Sequence, residues 1–464
     1  MRNLPNNDTI IAISTAAGTG AIGLVRMSGP AAREIAGRLF GGKSPQQQES
    51  HTAHFGHLYD LPAGHPKRRL IDEVVITLFK EGKSFTGEDT VEIATHGSPY
   101  ILQQVLQACI RQGARMAAAG EFTQRAFLNG RMDLAQAEAV ADLIAAENRA
   151  AHEVAMKQMR GGISSELAQL REALIHFTAL IELELDFSDE DVEFADRTQL
   201  KNLIRNLQSK ILNLIRSFEY GNAIKNGVPV AIIGKPNAGK STLLNALLKE
   251  ERAIVSDIAG TTRDVIEEAV NLEGITFRFI DTAGIRSTED RIEAIGVEKA
   301  KEKVQQAKVV IHLYEESPEL LDELSESLQD KIVFNLVSKT DKKDRVNDRY
   351  ENYLSEQYPA YHHFGISVKT GFNLDKLTQE LVSHFKNETA AGSVIITTIR
   401  HKEALEKSLS ALEEVDTGMQ MGLSGDLLSL HLKDALYHLG SITGRIDVDR
   451  DILGAIFGKF CIGK

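Results

Sequence analysis

Apolar and polar positions change rhythm twice along the chain, and each change predicts a different kind of element. Up to about residue 121, short β-type runs ("TIIAIS", "AIGLVRMS", "DEVVITLF", "TVEIAT") alternate with glycine-rich turns and one helical stretch, Tyr100 to Arg111. That texture predicts an α+β domain. From 122 the period lengthens. "MDLAQAEAVADLIAAENRAAHEVAMKQMR" reads as one long helix, with Asp133 capping its start and Gly161-Gly162 ending it. A second run carries Leu167, Leu170, Leu174, Phe177 and Ile181 at helical spacing, and a third spans Gln199 to Tyr220. From Val228, the strand-like "VPVAIIG", "FRFID", "KVVIHLY", "KIVFNLVS" and "YHHFGIS" alternate with helices, which predicts a mostly parallel sheet. "NETAAGS" then reads as a linker, and helices return at about 400–416 and 425–440. The fold class expected is multidomain α/β and α, in four segments: 1–121 (α+β), 122–222 (helical), 223–385 (inserted parallel-sheet domain) and 386–464 (helical again). The two helical segments are expected to pack together.

Composition narrows the class. The 464 residues exceed one ordinary core, with 42% hydrophobic and 25% charged residues. A net charge of −12 and the lack of a dense Lys/Arg run argue against a nucleic-acid-binding surface over the whole chain. The two cysteines, Cys109 and Cys461, cannot build a disulfide framework, which suits a reducing cytoplasm. The opening "MRNLPNNDTIIAISTAAGTG" is a poor signal peptide, and no apolar run is long enough to span a bilayer.

The chemistry begins at "GKPNAGKS", Gly234 to Ser241, which fits G-x-x-x-x-G-K-[ST] between a strand and a helix. Such a loop lets the N–H groups around Asn237, Ala238, Gly239 and Thr242 curl about phosphates at a helix N-terminus. Lys240 would reach the β- and γ-phosphates and Ser241 would hold Mg²⁺. "AGTTRD", Ala259 to Asp264, lies where a first switch loop belongs, and one of its threonines, Thr262 foremost, would give Mg²⁺ a second hydroxyl. "DTAG" adds Asp281 for the Mg²⁺ shell, Thr282 and Ala283, and Gly284, whose N–H would meet the γ-phosphate. "SKTD" offers Asp341 to both guanine N–H donors, with Lys339 along the ring, and "SVK" places Ser367 and Lys369 in a last base-contacting loop. Order and spacing favour GTP over ATP. Two departures stand out. Ser338 replaces the usual Asn of the base-reading motif, and Ile285 stands where many GTPases put a water-orienting Gln.

Three further patterns fall short of a site. "GTGAIG", Gly18 to Gly23, fits a dinucleotide fingerprint but leads into a strand, with no acidic residue at the required distance. His51, His54 and His57 lie in a strand-like run that spreads them over both faces, without a fourth ligand. "DFSDEDVEFAD", Asp186 to Asp196, lacks the central glycine of a calcium loop and reads as a solvated turn.

Taken together, the nucleotide motifs, "GTGAIGLVRMSGP", "VEIATHGSP", "GEFTQRAFLNGRMDLAQAEAVADLI" and the terminal "CIGK" resemble the MnmE/TrmE family of bacterial tRNA-modification GTPases over the whole chain. The resemblance implies a folate-binding, homodimerising N-terminal domain, a helical domain and a GTPase domain inserted in it. It implies an MnmG/GidA-type partner using FAD and NADH. With it the protein would build an aminomethyl or carboxymethylaminomethyl group on the wobble uridine of certain tRNAs, the carbon coming from 5-formyl-tetrahydrofolate or a related folate. It assigns Arg26, Glu92, Arg131 and Lys464 to folate, with Cys461 beside them as a candidate thiol. It also places K⁺ where an arginine finger would stand, on Asn237, Ser256, Ile258 and Thr261, and gives water orientation to Glu293. Catalysis would thus rest on Glu293, Asn237, Lys240 and Thr262, which removes the need for a Gln at Ile285.

Two other readings compete: a ribosome-assembly GTPase, which would ordinarily carry a basic RNA-binding appendage, and a nucleotide-controlled folate-binding scaffold that modifies nothing itself.

Overall fold

The computed structural model describes residues 8–186, 197–250, 268–280, 293–315, 318–342, 356, 358–385 and 394–444. The chain divides into two compact units, Met1–Ile144 with Gln158–Phe187 and Ser429–Lys464, and Ala145–Lys157 with Ser188–Leu428.

In the first unit, β1 (Ile10–Ile13), β2 (Ile22–Ser28), β3 (Phe40–Gly41), β4 (Thr52–Tyr59), β5 (Leu70–Phe79), β6 (Thr90–His96) and β7 (Arg115–Met116) form a sheet in the order β3-β4-β5-β6-β2-β1-β7. Helices α1 (Ala32–Leu39) and α2 (Pro99–Arg111) share one hydrophobic core with a single face of it. Val25, Met27, Val74, Ile76, Leu78, Val91 and Ile93 meet Ile35, Leu39, Leu102 and Val105 there. The alternate positions, among them Glu73 and Val75, face away, as period-2 patterning requires. Arg26 on β2 and Glu92 on β6 are register partners on that opposite face.

Helix α3 (Glu121–Leu128) follows Gly120, held at φ +68°. It is locked by an ion network centred on the buried Glu121 and Arg125. Arg125 bonds Glu121, Asp8 and Glu88, and Arg115 bonds Glu121 and Asp8. Asp133 then caps α4 (Leu134–Ile144), its carboxylate accepting from the Gln136 N–H while Gln136 accepts from the Asp133 N–H. The long helix expected from Asp133 to Gly161 is in fact two. It stops at Ile144 and restarts as α5 (Arg149–Met159), because Asn148 Oδ1 accepts from the Ala151 N–H and caps a new start. Gly161, at φ +85°, turns the chain into α6 (Gly162–Asp186), where Leu167, Leu170, Leu174 and Ile181 are buried and Phe177 is half-buried.

The second unit is built on β8 (Val228–Ile233), β9 (Glu268–Leu272), β10 (Ile275–Phe279), β11 (Val309–Tyr314), β12 (Ile332–Val337) and β13 (His362–Gly365), in the order β13-β12-β11-β8-β10-β9. All neighbours are parallel except β9, which pairs antiparallel with β10. Strand β9 was not expected from the sequence. Its "EAVNL" is short and becomes a strand through the hairpin turn at Glu273-Gly274. Both sheet faces are covered. α8 (Lys240–Glu250) and α11 (Leu374–Ser383) pack on one, α9 (Glu293–Gln306) and α10 (Glu319–Leu324) on the other. That is why β8 and β11 read as unbroken apolar runs. Before the sheet lies α7 (Arg197–Asn226), and after it lies α12 (Ile399–Met421). The chain entering α12 meets α7: the Ile396 N–H donates to Ser217 Oγ at 3.1 Å. The last described helix, α13 (Gly425–Thr443), belongs from Ser429 on to the first unit, within which its Lys433 pairs with Glu182 of α6. No described helix is long and apolar enough to cross a membrane.

Candidate nucleotide and folate sites

Strand β8 ends at the loop carrying the phosphate-binding pattern. Its backbone is held in conformations that only a few residues tolerate: Gly234 at φ +146°, Asn237 at +63° and Gly239 at +100°. Gly234 is obligatory, since a Cβ there would lie 2.2 Å from the Leu313 carbonyl oxygen of β11. The curl leaves N–H groups converging where α8 begins at Lys240, a ready anion site. Lys240 Nζ donates to the carbonyls of Gly234 (2.7 Å) and Lys235 (2.8 Å), so its ammonium lies inside the loop. Burial, with Lys303 nearby, lowers its pKa. A half-buried cation with such neighbours gains most from an anion of high charge, which a polyphosphate supplies. Ser241 and Thr242 follow in the first turn of α8, and Ala238 is buried under the loop.

The loops expected from the sequence to read the base lie at the ends of β12 and β13, where ligands of a parallel sheet bind. Ser367 Oγ donates to Asp341 Oδ1 at 2.7 Å, bringing together two residues 26 positions apart. Lys339, at φ +58°, donates from Nζ to the Asn237 carbonyl at 2.7 Å and also pairs with Glu315. Asn237 and Lys339 are thus brought together, and Lys369 lies in the turn after Ser367. Sequence reasoning missed Glu315; only the pairing of β11 with β12 puts it beside Lys339. Under the loops, burial and Lys240 push the His312 imidazole down to about 4 against its bond to Asn335, so it is neutral near pH 7. Of Glu293, only its position as the first residue of α9 is described. Ser256, Ile258, Thr261, Thr262, Asp281, Thr282, Ala283, Gly284 and Ile285 lie outside the described residues, as do Cys461, Lys464 and nearly all of the acidic run after Asp186.

In the first unit, Arg26 Nη2 pairs with Glu92 Oε1 at 2.7 Å. Its guanidinium lies 5.7 Å from the Phe85 ring centroid and 5.8 Å from that of Phe122. Arg131 donates to the Gly82 carbonyl at 3.1 Å, so it grips the loop that carries Phe85. Arg26, Glu92 and Arg131 therefore border one loop, with aromatic rings that sequence reasoning did not pick out. The glycines at 18–23 serve the backbone: Gly20 N–H donates to the Gly97 carbonyl at 3.0 Å, leaving no helix N-terminus for a dinucleotide. His51 sits in a turn at φ +63°, and among the described residues no group of three or more His, Cys, Asp or Glu could hold a metal ion.

Comparison with known proteins covers the chain almost end to end. A family model described as the MnmE helical domain matches residues 134–461, and one described as the GTP-binding protein TrmE N-terminus matches 9–131. The chain is 51% identical to a tRNA modification GTPase MnmE of Cytophaga hutchinsonii, covering 99% of this chain and 98% of that protein. It is 50% identical to one of Bacteroides fragilis (99% and 100%) and 47% identical to one of Christiangramia forsetii (99% of each).

Proposed function

This chain belongs to the MnmE/TrmE family of tRNA modification GTPases and hydrolyses GTP in tRNA modification, and on that footing we propose a potassium-activated, folate-using mechanism for it. The observation that carries the proposal is identity of about half over 99% of the chain with relatives bearing that name. The division into residues 1–121, 122–222 with 386–464, and 223–385 belongs to the proposal.

GTP would lie along the P-loop, with Asp341 accepting both guanine N–H groups and Ser367 holding that carboxylate. Lys240 would leave the Gly234 and Lys235 carbonyls for the β- and γ-phosphate oxygens. Mg²⁺ on Ser241 and Thr262, and K⁺ on Asn237, Ser256, Ile258 and Thr261, would neutralise the charge that develops on the phosphates. Asn237 fits that role, for its side chain is exposed at the loop tip and its backbone is fixed by the Lys339 contact. Glu293, opening α9 directly after the second-switch sequence, would orient the water. An arginine finger is worth about 10³–10⁵ in rate, and the cation would supply part of that.

In the other unit, Arg26, Glu92 and Arg131 are proposed to bind a one-carbon tetrahydrofolate, with Lys464 and Cys461 completing the site. The donor set suits that ligand: Glu92 can accept from pterin N–H groups, the arginines can pair a glutamate carboxylate, and the exposed Phe85 offers flat apolar surface. The protein would act as a cytoplasmic homodimer with an MnmG/GidA-type FAD- and NADH-using flavoprotein that carries most of the tRNA contact. Two measurements test this. Wobble uridines should lose the carboxymethylaminomethyl or aminomethyl group on deletion of the gene, by mass spectrometry of bulk tRNA. Purified protein should bind 5-formyl-tetrahydrofolate, and Arg26→Ala should not. Unchanged tRNA in the deletion strain would overturn the modifying role.

A further inference from the structure

The base-reading motif of this chain carries Ser338 where an Asn is usual, and the structure shows what that leaves. Ser338 is 7% exposed, its N–H is spent on the Tyr314 carbonyl, and its Oγ finds no hydrogen-bond partner among the described residues. A buried hydroxyl without a partner contributes nothing to holding the loop and costs its desolvation. Its neighbour is differently placed. Lys339 bridges two elements, donating to the Asn237 carbonyl of the P-loop at 2.7 Å and pairing with the Glu315 carboxylate at the end of β11. Both Lys339 and Glu315 side chains are about two-thirds withdrawn from solvent. Lys339 also sits at φ +58°, a conformation a long side chain keeps only when its contacts hold it there.

We propose that Glu315 is a positioning residue for guanine-nucleotide binding: it fixes Lys339 against the P-loop and so replaces the tie that Asn at position 338 would supply. Glu315 acts through Lys339 and touches no nucleotide atom. The geometry gives it leverage because one ammonium fixes the spacing between the phosphate-binding loop and the base-reading loop. A nucleotide needs both at once. Without the carboxylate, Lys339 keeps only a neutral carbonyl acceptor, a weaker bond than one to a charged group. The inference rests on the assignment of the 338–341 loop to guanine recognition.

The test is equilibrium binding of fluorescent GDP, with GTPase kinetics, on the full-length chain. Glu315→Gln is expected to weaken GDP binding about threefold to tenfold, the span of one charge-assisted bond at a half-exposed site. KM for GTP should rise with it, while kcat and the melting temperature of the nucleotide-free protein stay put. Glu315→Asp should restore part of the loss. Ser338→Asn should tighten binding, and in that background Glu315→Gln should cost less than in the wild type, the mark of two ties serving one loop. Wild-type affinity in Glu315→Gln, or an undiminished loss in the Ser338→Asn background, overturns the proposal. So does a loss of affinity matched by a fall in melting temperature. Asp341→Asn separates the two levels: it should exchange guanine for xanthine preference. If it does so while Glu315→Gln is inert, only the role of Glu315 fails. If it does not, the guanine assignment of the loop fails first.

Discussion

Ser367 donates its hydroxyl proton to Asp341 Oδ1 across 2.7 Å, so the turn after β13 braces the carboxylate that closes the "SKTD" loop after β12. The bond orients one carboxylate oxygen of the group proposed to read the base. Ser367→Ala should free that rotation and weaken guanine-nucleotide affinity about threefold to tenfold, without changing kcat, as read by titration of fluorescent GDP.

Lys240 has its ammonium inside the P-loop, and burial lowers its pKa. Lys240→Ala removes the cation aimed at the transferring phosphoryl group. Hydrolysis should fall about 10²–10³-fold or more in kcat. Single-turnover kinetics at saturating GTP check this, since they exclude a mere loss of affinity.

Gly234 combines φ +146° with a carbonyl oxygen 2.2 Å from where a Cβ would be. Gly234→Ala should lower stability by about 1–3 kcal/mol and abolish GTP binding. Urea denaturation and nucleotide titration report the two effects separately.

Glu121 is wholly buried between Arg115 and Arg125. Burial raises its pKa, but Arg115, the Ala118 N–H and Arg125 outweigh it, and the result lies below the ordinary 4.5. Asp8 behaves alike, burial raising its pKa and Arg115 and Arg125 bringing it below 3.8. Both folded-state values lie below the unfolded ones. Their contribution to stability is therefore complete above pH 4.5 and is lost as pH falls through the lowered folded-state values. Glu121→Gln leaves Arg115 with Asp8 and Arg125 with Asp8 and Glu88, and should cost about 1–3 kcal/mol at pH 7. The cost should shrink in acid, which denaturation at a series of pH values would show.

What could be read in the sequence was what is local. A P-loop is eight consecutive residues between a strand and a helix, and its glycines, lysine and serine all lie within that one stretch. The parallel strands of the second unit were plain because both faces of that sheet are covered, whereas the antiparallel edge strand β9 was not. The helix from Asp133 was misjudged at 145–148, because Asn148 as a cap outweighs a composition that favours continuing. The Glu315–Lys339 pair, the Ser367–Asp341 bond and the Phe85 and Phe122 rings beside Arg26 were illegible for one reason. Each depends on tertiary packing that joins distant positions, and no spacing along the chain encodes that.

The central claim is that a cation bound beside Asn237 does the work that neither an arginine finger nor a Gln at Ile285 performs. The measurement is steady-state GTP hydrolysis by the purified protein in potassium chloride against equal sodium chloride, with Asn237→Ala alongside. Fast turnover in potassium alone, lost in Asn237→Ala, is the predicted result. Equal, slow rates in both salts, or a variant as active as the wild type, would contradict it.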